Sequence, residues 1–330
     1  MSVTSVSASV ISDFDESQFP DTSIKQQQEY IFSPDSSYLY SKPRPFQWAK
    51  QIPSDLGRFF KVSFSKKNLW KTAAILGASA IMVVYDQQML DGTQHFGRQI
   101  HIDGKETTVA PIRWTIKLGD TRVYMPLYFP ANFNTGMYFL GDGFTHFSIA
   151  AGFWTVGKIK KDNHALQTAS QLLESLVTIG IITQTLKHIT GRESPYTSTT
   201  KGGKWKFFPN QSEYAKHVPN HDAFPSGHLA TWVSTFTVLS ENYPDCKWIP
   251  AVGYGLGTCL AFAMVNNGVH WVADYPLAIG IGYVCGKIVA ARGHEVKYNK
   301  KFSFLSKAKP GIVLPSFSGH ITGLQAIWQL

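Results

Sequence analysis

Cysteine is scarce: Cys246, Cys259 and Cys285 are the three in 330 residues, odd in number and widely spaced. That excludes a disulfide framework and a cysteine-built zinc site, and two of the three sit in apolar runs where a thiol packs as a small core residue. Acidic side chains are also in deficit, 22 against 31 lysines and arginines, which leaves a formal net charge of +9. Such a balance suits an anionic surface or an anionic small molecule. Nucleic acid, the other habitual partner of basic chains, is set aside, because no motif for it is present and the lysines scatter among apolar segments. No His-x-x-x-His carries a helper glutamate, and His217, His221 and His228 are loosely spaced, so neither a catalytic metal nor another cofactor is expected. The opening stretch lacks an apolar run behind a basic start, so no signal peptide is expected either. No internal repeat is visible.

Sustained alternation of apolar and polar residues is missing too, which argues against an all-β architecture. Instead there are six apolar segments of helical length, roughly Trp70–Tyr85, Thr135–Gly157, Ala165–Leu186, Gly227–Ser240, Trp248–Val265 and Tyr275–Ala291. They predict an all-α bundle of six helices over residues 66–293. Residues 86–134 interrupt it with β-branched and aromatic clusters broken by glycine and proline, a pattern for short strands or a hairpin. Residues 1–65 are polar, and in the first forty positions Asp13, Asp15, Glu16, Asp21, Glu29 and Asp35 outnumber the single Lys25, so a disordered tail is expected. Residues 294–330 are basic at first and then alternate around Lys309-Pro310-Gly311, which suggests a further hairpin.

Composition alone does not put these helices in a bilayer. Mean hydropathy is −0.10. Asp142, His146 and Glu174 interrupt two of the segments, and only Trp248–Val265 is a charge-free run near spanning length. Charge placement decides for the membrane over a soluble or peripheral protein. Lys66, Lys67 and Lys71, then Lys158, Lys160 and Lys161, then Lys247, and finally Lys287, Arg292, Lys297, Lys300 and Lys301 all fall on one side of an up-and-down path. By the positive-inside rule that side is cytoplasmic, which predicts a multi-pass protein.

Chemistry concentrates in three short pieces. Phe224-Pro225-Ser226-Gly227-His228 and Gly268-Val269-His270-Trp271-Val272-Ala273-Asp274 each place a histidine where a loop meets an apolar run. Asp274 follows His270 by four residues, one helical turn, and can hold the imidazole in one tautomer. Two histidines, one carboxylate-oriented, suit a reaction that needs one nucleophile and one proton donor. Ser226 is also a natural helix N-cap, and the N-terminus of such a helix offers free N–H groups to an anion. The third piece is Lys187-His188-Ile189-Thr190-Gly191-Arg192-Glu193-Ser194-Pro195, a lysine ending an apolar helix before a turn.

In order and spacing the three pieces resemble the phosphatidic acid phosphatase type 2 (PAP2) superfamily, which also includes bacterial acid phosphatases and vanadium haloperoxidases. The resemblance runs from about Leu140 to Ala291 and implies a PAP2-type helical bundle that works without a metal. It further implies that His270 attacks phosphorus to form a phosphohistidine, that Asp274 orients His270, and that His228 protonates the leaving alcohol and then activates water. Lys187, the Ser226 hydroxyl and the Gly227 N–H would bind phosphate oxygens, on a phosphomonoester or diphosphate that is a lipid if the helices span a bilayer. By the same pattern the site faces the extracytoplasmic side. Two departures fall on the chemistry. Ser194 and Met264 stand where the family has arginines that grip phosphate, and Ala263 stands where serine is usual. Arg192, two residues before Ser194, and the Ser194 hydroxyl are the expected partial replacements. The rival reading is a catalytically degenerate domain that binds an anionic lipid or a partner protein. The sequence sets no oligomeric state.

Overall fold

The computed structural model describes residues 27–33, 36–119, 121–298, 312–318 and 321–327. Helices dominate, and their ends follow side-chain chemistry. Strands β1 (Gln28–Ser33) and β2 (Ser36–Tyr40) lead into α1 (Gln47–Ser63) and the long α2 (Leu69–Gln99). A hairpin follows, β3 (Thr108–Leu118) with β4 (Thr121–Pro130), and then α3 (Phe133–Phe139), α4 (Gly143–Lys160) and α5 (Asn163–Thr190). Next come α6 (Gln211–Lys216), α7 (Gly227–Asn242), α8 (Trp248–Asn266) and α9 (Tyr275–Ala290), then β5 (His294–Tyr298) and the pair β6 (Ile312–Ser318) and β7 (Ile321–Ile327).

α5 is the axis of the bundle. Asp162 caps it by accepting from the Ala165 N–H at 3.2 Å, and Gly191, at φ +54°, ends it. α7 starts at Ser226, whose hydroxyl accepts from the Leu229 N–H at 3.4 Å. α7 and α9 pack closely because α9 carries glycine where they touch. A Cβ on Gly286 would lie 2.7 Å from the Thr237 Cβ, closer than packed carbons tolerate. Between these helices and α8 the core is apolar, with Ile179, Leu260, Met264, Trp271 and Ile281 all buried.

Among the described residues, four helical stretches are long and apolar enough to cross a bilayer: α2, α5, α8 and Val272–Ala290. The expected segment Thr135–Gly157 is two helices. Gly141 breaks it, because a Cβ there would come within 2.6 Å of the His228 Cβ, and Asp142 then caps α4 through the Phe144 N–H at 2.7 Å. Gln211–Lys216 and Gln47–Ser63 are helices that apolar runs did not announce.

The expected tail needs correction from residue 28 onward. β2 pairs antiparallel with both β1 and β5, which joins the first described residues to the end of the bundle. Tyr30 donates to Asp162 at 2.6 Å and Tyr40 donates to Asn242 at 2.9 Å, so the sheet is fastened to α5 and α7. α1 follows because Arg292 pairs with its buried Asp55 at 2.5 Å. The remainder of residues 1–65, residues 1–26 with 34–35, lies outside the described residues. β6 and β7 pair as a hairpin across residues 319–320, whereas Lys309-Pro310-Gly311 lies outside the described residues.

Candidate active site

His228 sits in the first turn of α7, and His270 lies in the loop between α8 and α9. Their ring centroids are 6.3 Å apart with the planes at 67°. The two imidazoles are therefore edge-to-face neighbours at the start of α7. Tyr138 of α3 backs His228 at 4.8 Å, ring to ring.

His270 is held by a relay of buried groups. Its Nδ1 lies 3.2 Å from Asp274 Oδ2, the same oxygen that accepts the Trp271 N–H at 2.8 Å. With Nδ1–H donating to the carboxylate, Nε2 carries the free lone pair. Asp274 Oδ1 accepts from Arg192 Nη1 at 2.6 Å. Arg192 Nη2 bonds Asp86 Oδ2 and also donates to the Gly202 carbonyl at 3.1 Å. Asp86 reaches in from α2, and its other oxygen accepts the Ala273 N–H at 3.0 Å. The guanidinium lies between two indoles, 4.7 Å from the Trp205 ring and 5.3 Å from the Trp271 ring. Asp86, Arg192 and Asp274 are all fully buried.

Lys187 ends α5 with its ammonium next to the start of α7, where a Cβ on Gly227 would lie 3.9 Å from Nζ. It also pairs with Asp222 Oδ2 at 3.5 Å. Ser226, Gly227 and Lys187 thus stand together at the positive end of a helix, the arrangement that receives an oxyanion. Met264 approaches from beneath, its sulfur 3.6 Å from the Ser226 hydroxyl. Ser194 is buried, and its N–H donates to the Pro219 carbonyl at 2.8 Å.

The structure thus brings His228, His270, Asp274, Lys187, Ser226 and Gly227 together. It places two other expected residues differently. Arg192 engages carboxylates, not the start of α7, because two buried acids occupy its fork, Asp274 at Nη1 and Asp86 at Nη2. Ser194 secures the loop through its backbone. Asp142 caps α4, and His146 bonds Thr235 at 2.8 Å. His221 stacks on Tyr214, and burial, aided by the Lys206 charge, pushes its imidazole below the ordinary value. An open cavity of about 280 Å³ lies beside α2, lined by Gln87, Pro195, Thr200, Lys201 and Trp271 among others, and His228, His270 and Lys187 do not line it. Among the described residues, no three His, Cys, Asp or Glu side chains converge as metal ligands would.

Asp86 is the residue that sequence reading missed. Its signal was available: a carboxylate directly after the apolar run Trp70–Tyr85, on what proves to be the same helix. An ionisable group on an apolar helix seeks a partner.

Residues 168–297 match the family model described as the PAP2 superfamily. No curated protein and no solved structure matches the chain.

Proposed function

We propose, from the PAP2 match of residues 168–297, that the protein is a metal-independent phosphatase acting on a lipid phosphate through a phosphohistidine at His270. Such a match points to phosphatase-type chemistry, and with four helices of spanning length it points to a membrane protein. The observation that carries the finer reading is the convergence of two imidazoles, 6.3 Å apart, at the N-terminus of α7 beside Lys187.

The steps proposed are those the family resemblance implies, carried by the residues brought together here. Phosphate oxygens bind the Lys187 ammonium, the Ser226 hydroxyl and the N–H groups that open α7. His270 Nε2 attacks phosphorus, the P–O bond to the alcohol breaks, and His228 gives its proton to the departing oxygen. His228 then takes a proton from water, the hydroxide attacks phosphorus, the P–N bond breaks and inorganic phosphate leaves. Asp274 steadies the positive charge that the His270 ring acquires. Transfer of this kind depends on position and on donors aimed at the equatorial oxygens. The substrate reading follows from the setting, since a site at the ends of spanning helices meets a phosphorylated headgroup. Lysines clustered at the opposite helix ends support an extracytoplasmic site.

Met264 favours a second reading. A buried thioether fills the place of a guanidinium, and an arginine fork makes bidentate bonds that methionine cannot. Under it the site binds an anionic lipid without turnover. The test is phosphate release by the purified full-length protein from phosphatidic acid, a polyprenyl diphosphate and p-nitrophenyl phosphate, with His270→Ala as control. Release that vanishes in the variant supports the phosphatase. No release from the panel by wild type supports the binding domain.

A further inference from the structure

We propose that Asp86 and Arg192 form a buried clamp that positions Asp274, and through it His270, for the phosphoryl transfer proposed above, on whose nucleophile it depends. Asp86 is the member that keeps the clamp anionic. Asp86 belongs to α2, outside the segment that matches the family, so the site is completed by a helix the motifs do not reach.

Charge counting decides the role. Asp274 alone would present a full negative charge to the His270 ring. Arg192, bonded to Asp274 at 2.6 Å and shut away from water, cancels that charge. A neutral pair does little for an imidazole that becomes cationic as Nε2 bonds to phosphorus. The Asp86 carboxylate, on the other side of the same guanidinium, returns the group to a net charge of minus one. The charged and titratable groups around His270 are then Asp274 on its own loop, His228 from α7, Lys187 from α5, and Arg192 with Asp86 behind Asp274. Asp86 also accepts the Ala273 N–H at 3.0 Å, which fixes the loop that carries both His270 and Asp274. Trp205 and Trp271 flank the guanidinium and exclude water, which keeps these charges strong. Burying three charges for stability alone is a poor bargain, because desolvation offsets most of the attraction.

Asp86 is a positioning residue, so the test separates rate from binding. Full-length protein in nanodiscs is compared with Asp86→Asn and with the double variant Asp86→Asn, Arg192→Gln, in which Asp274 is again an unopposed carboxylate. Asp86→Asn should lower kcat by roughly tenfold to a hundredfold with KM within about twofold, as for loss of transition-state charge stabilisation. The double variant should regain about tenfold of that loss. A folded Asp86→Asn with wild-type kcat, a loss confined to KM, or a double variant no faster than the single overturns the clamp. If Asp86→Asn does not fold, the double variant decides: a kcat within about tenfold of wild type supports the clamp, and a larger fall overturns it. Orthovanadate binding separates this from the parent reading. Wild type that binds vanadate but hydrolyses nothing removes the phosphatase, and the clamp then predicts about tenfold weaker vanadate binding in Asp86→Asn, equal binding overturning it. Wild type that does neither overturns both.

We also infer, from a separate observation, that the β3–β4 hairpin lies on the bilayer surface, its apolar face against acyl chains and its cations at the headgroup phosphates. Cross-strand register sorts its residues into two faces. Ile112 pairs with Leu127 and Ile116 with Val123, with Trp114 between them in the same row. The opposite face carries Arg113, Thr115 with Tyr124, and Lys117 with Arg122. Ile112, Trp114 and Ile116 are each 46% exposed, so nearly half of this part of the apolar row is left uncovered. A lone two-stranded ribbon with such a face is not stable in water. Basic residues opposite an aromatic and aliphatic row suit a membrane interface, with the cations at the headgroup phosphates. The bilayer is within reach, since the hairpin leaves the bundle next to Gly104, which packs on Asn266 at the end of spanning-length α8. Nitroxides at Ile116→Cys and Thr115→Cys, with Cys246 and Cys259 changed to serine, test this in anionic nanodiscs. The label at 116 should be relaxed by oxygen and shielded from a water-soluble nickel chelate, and the label at 115 the reverse. Equal chelate access at both positions overturns the inference. So does dipolar broadening between labels at 116 on different copies, which assigns the face to a second copy of this chain.

Discussion

His228 and His270 are assigned different tasks, and substitution distinguishes them. A general acid matters in proportion to how badly the leaving group needs a proton, an effect of about a hundredfold to ten-thousandfold. His228→Ala should therefore slow release from an alkyl phosphate by about a hundredfold or more, while p-nitrophenyl phosphate, whose alcohol leaves unprotonated, loses far less in the first step. Parallel steady-state assays with both substrates check this, and equal losses would assign His228 a binding role. Met264 offers the converse experiment. Its sulfur already lies 3.6 Å from the Ser226 hydroxyl, so a longer side chain from the same backbone reaches the N-terminus of α7. Met264→Arg should raise kcat/KM by about tenfold, the value of one charge-assisted fork, provided circular dichroism shows the fold intact. A folded variant that is no faster means the pocket is built around something other than phosphate. The His270–Asp274 pair was legible in the sequence because its geometry is local, four residues apart in one chain segment. The roles of Arg192 and Asp86 were not, because their bond joins residues 106 apart and only the folded chain brings them together.

At the level of elements, the tight seam between α7 and α9 holds His228 against the loop that bears His270. Gly286→Val would drive a side chain into Thr237, and overpacking of this kind costs about 1–3 kcal/mol. A lowered melting temperature, together with a fall in kcat from the separated histidines, is the expected result, read by thermal shift and by assay. An unchanged melting temperature would mean that the seam yields. Helices α5, α7, α8 and α9 were readable from apolar runs because each carries a long apolar stretch, whether buried or facing outward. α1 was not, because its inward position at Asp55 is polar and relies on Arg292, far along the chain. β1 and β2 were hidden for the same reason, since β2 takes its third strand from residues 294–298. The corner between α3 and α4 depends on Gly141 fitting against His228, a contact that no local pattern announces.

As a whole molecule, the protein combines four helices of spanning length with a net charge of +9. It should stay with membranes through an alkaline carbonate wash, and release into the supernatant would contradict integration in the bilayer. At one of the positive helix ends Lys287 bonds Glu241 at 2.7 Å, whereas the two histidines stand where α7 begins. The proposed phosphatase rests on the two histidines at that second end, beside Lys187. The most direct test is rapid quenching with a lipid phosphate labelled at phosphorus, followed by peptide mapping. Acid-labile, base-stable label on His270, absent in His270→Ala and accumulating in His228→Ala, is the predicted result. Turnover with no trapped phosphoenzyme, or label on any other residue, would contradict it.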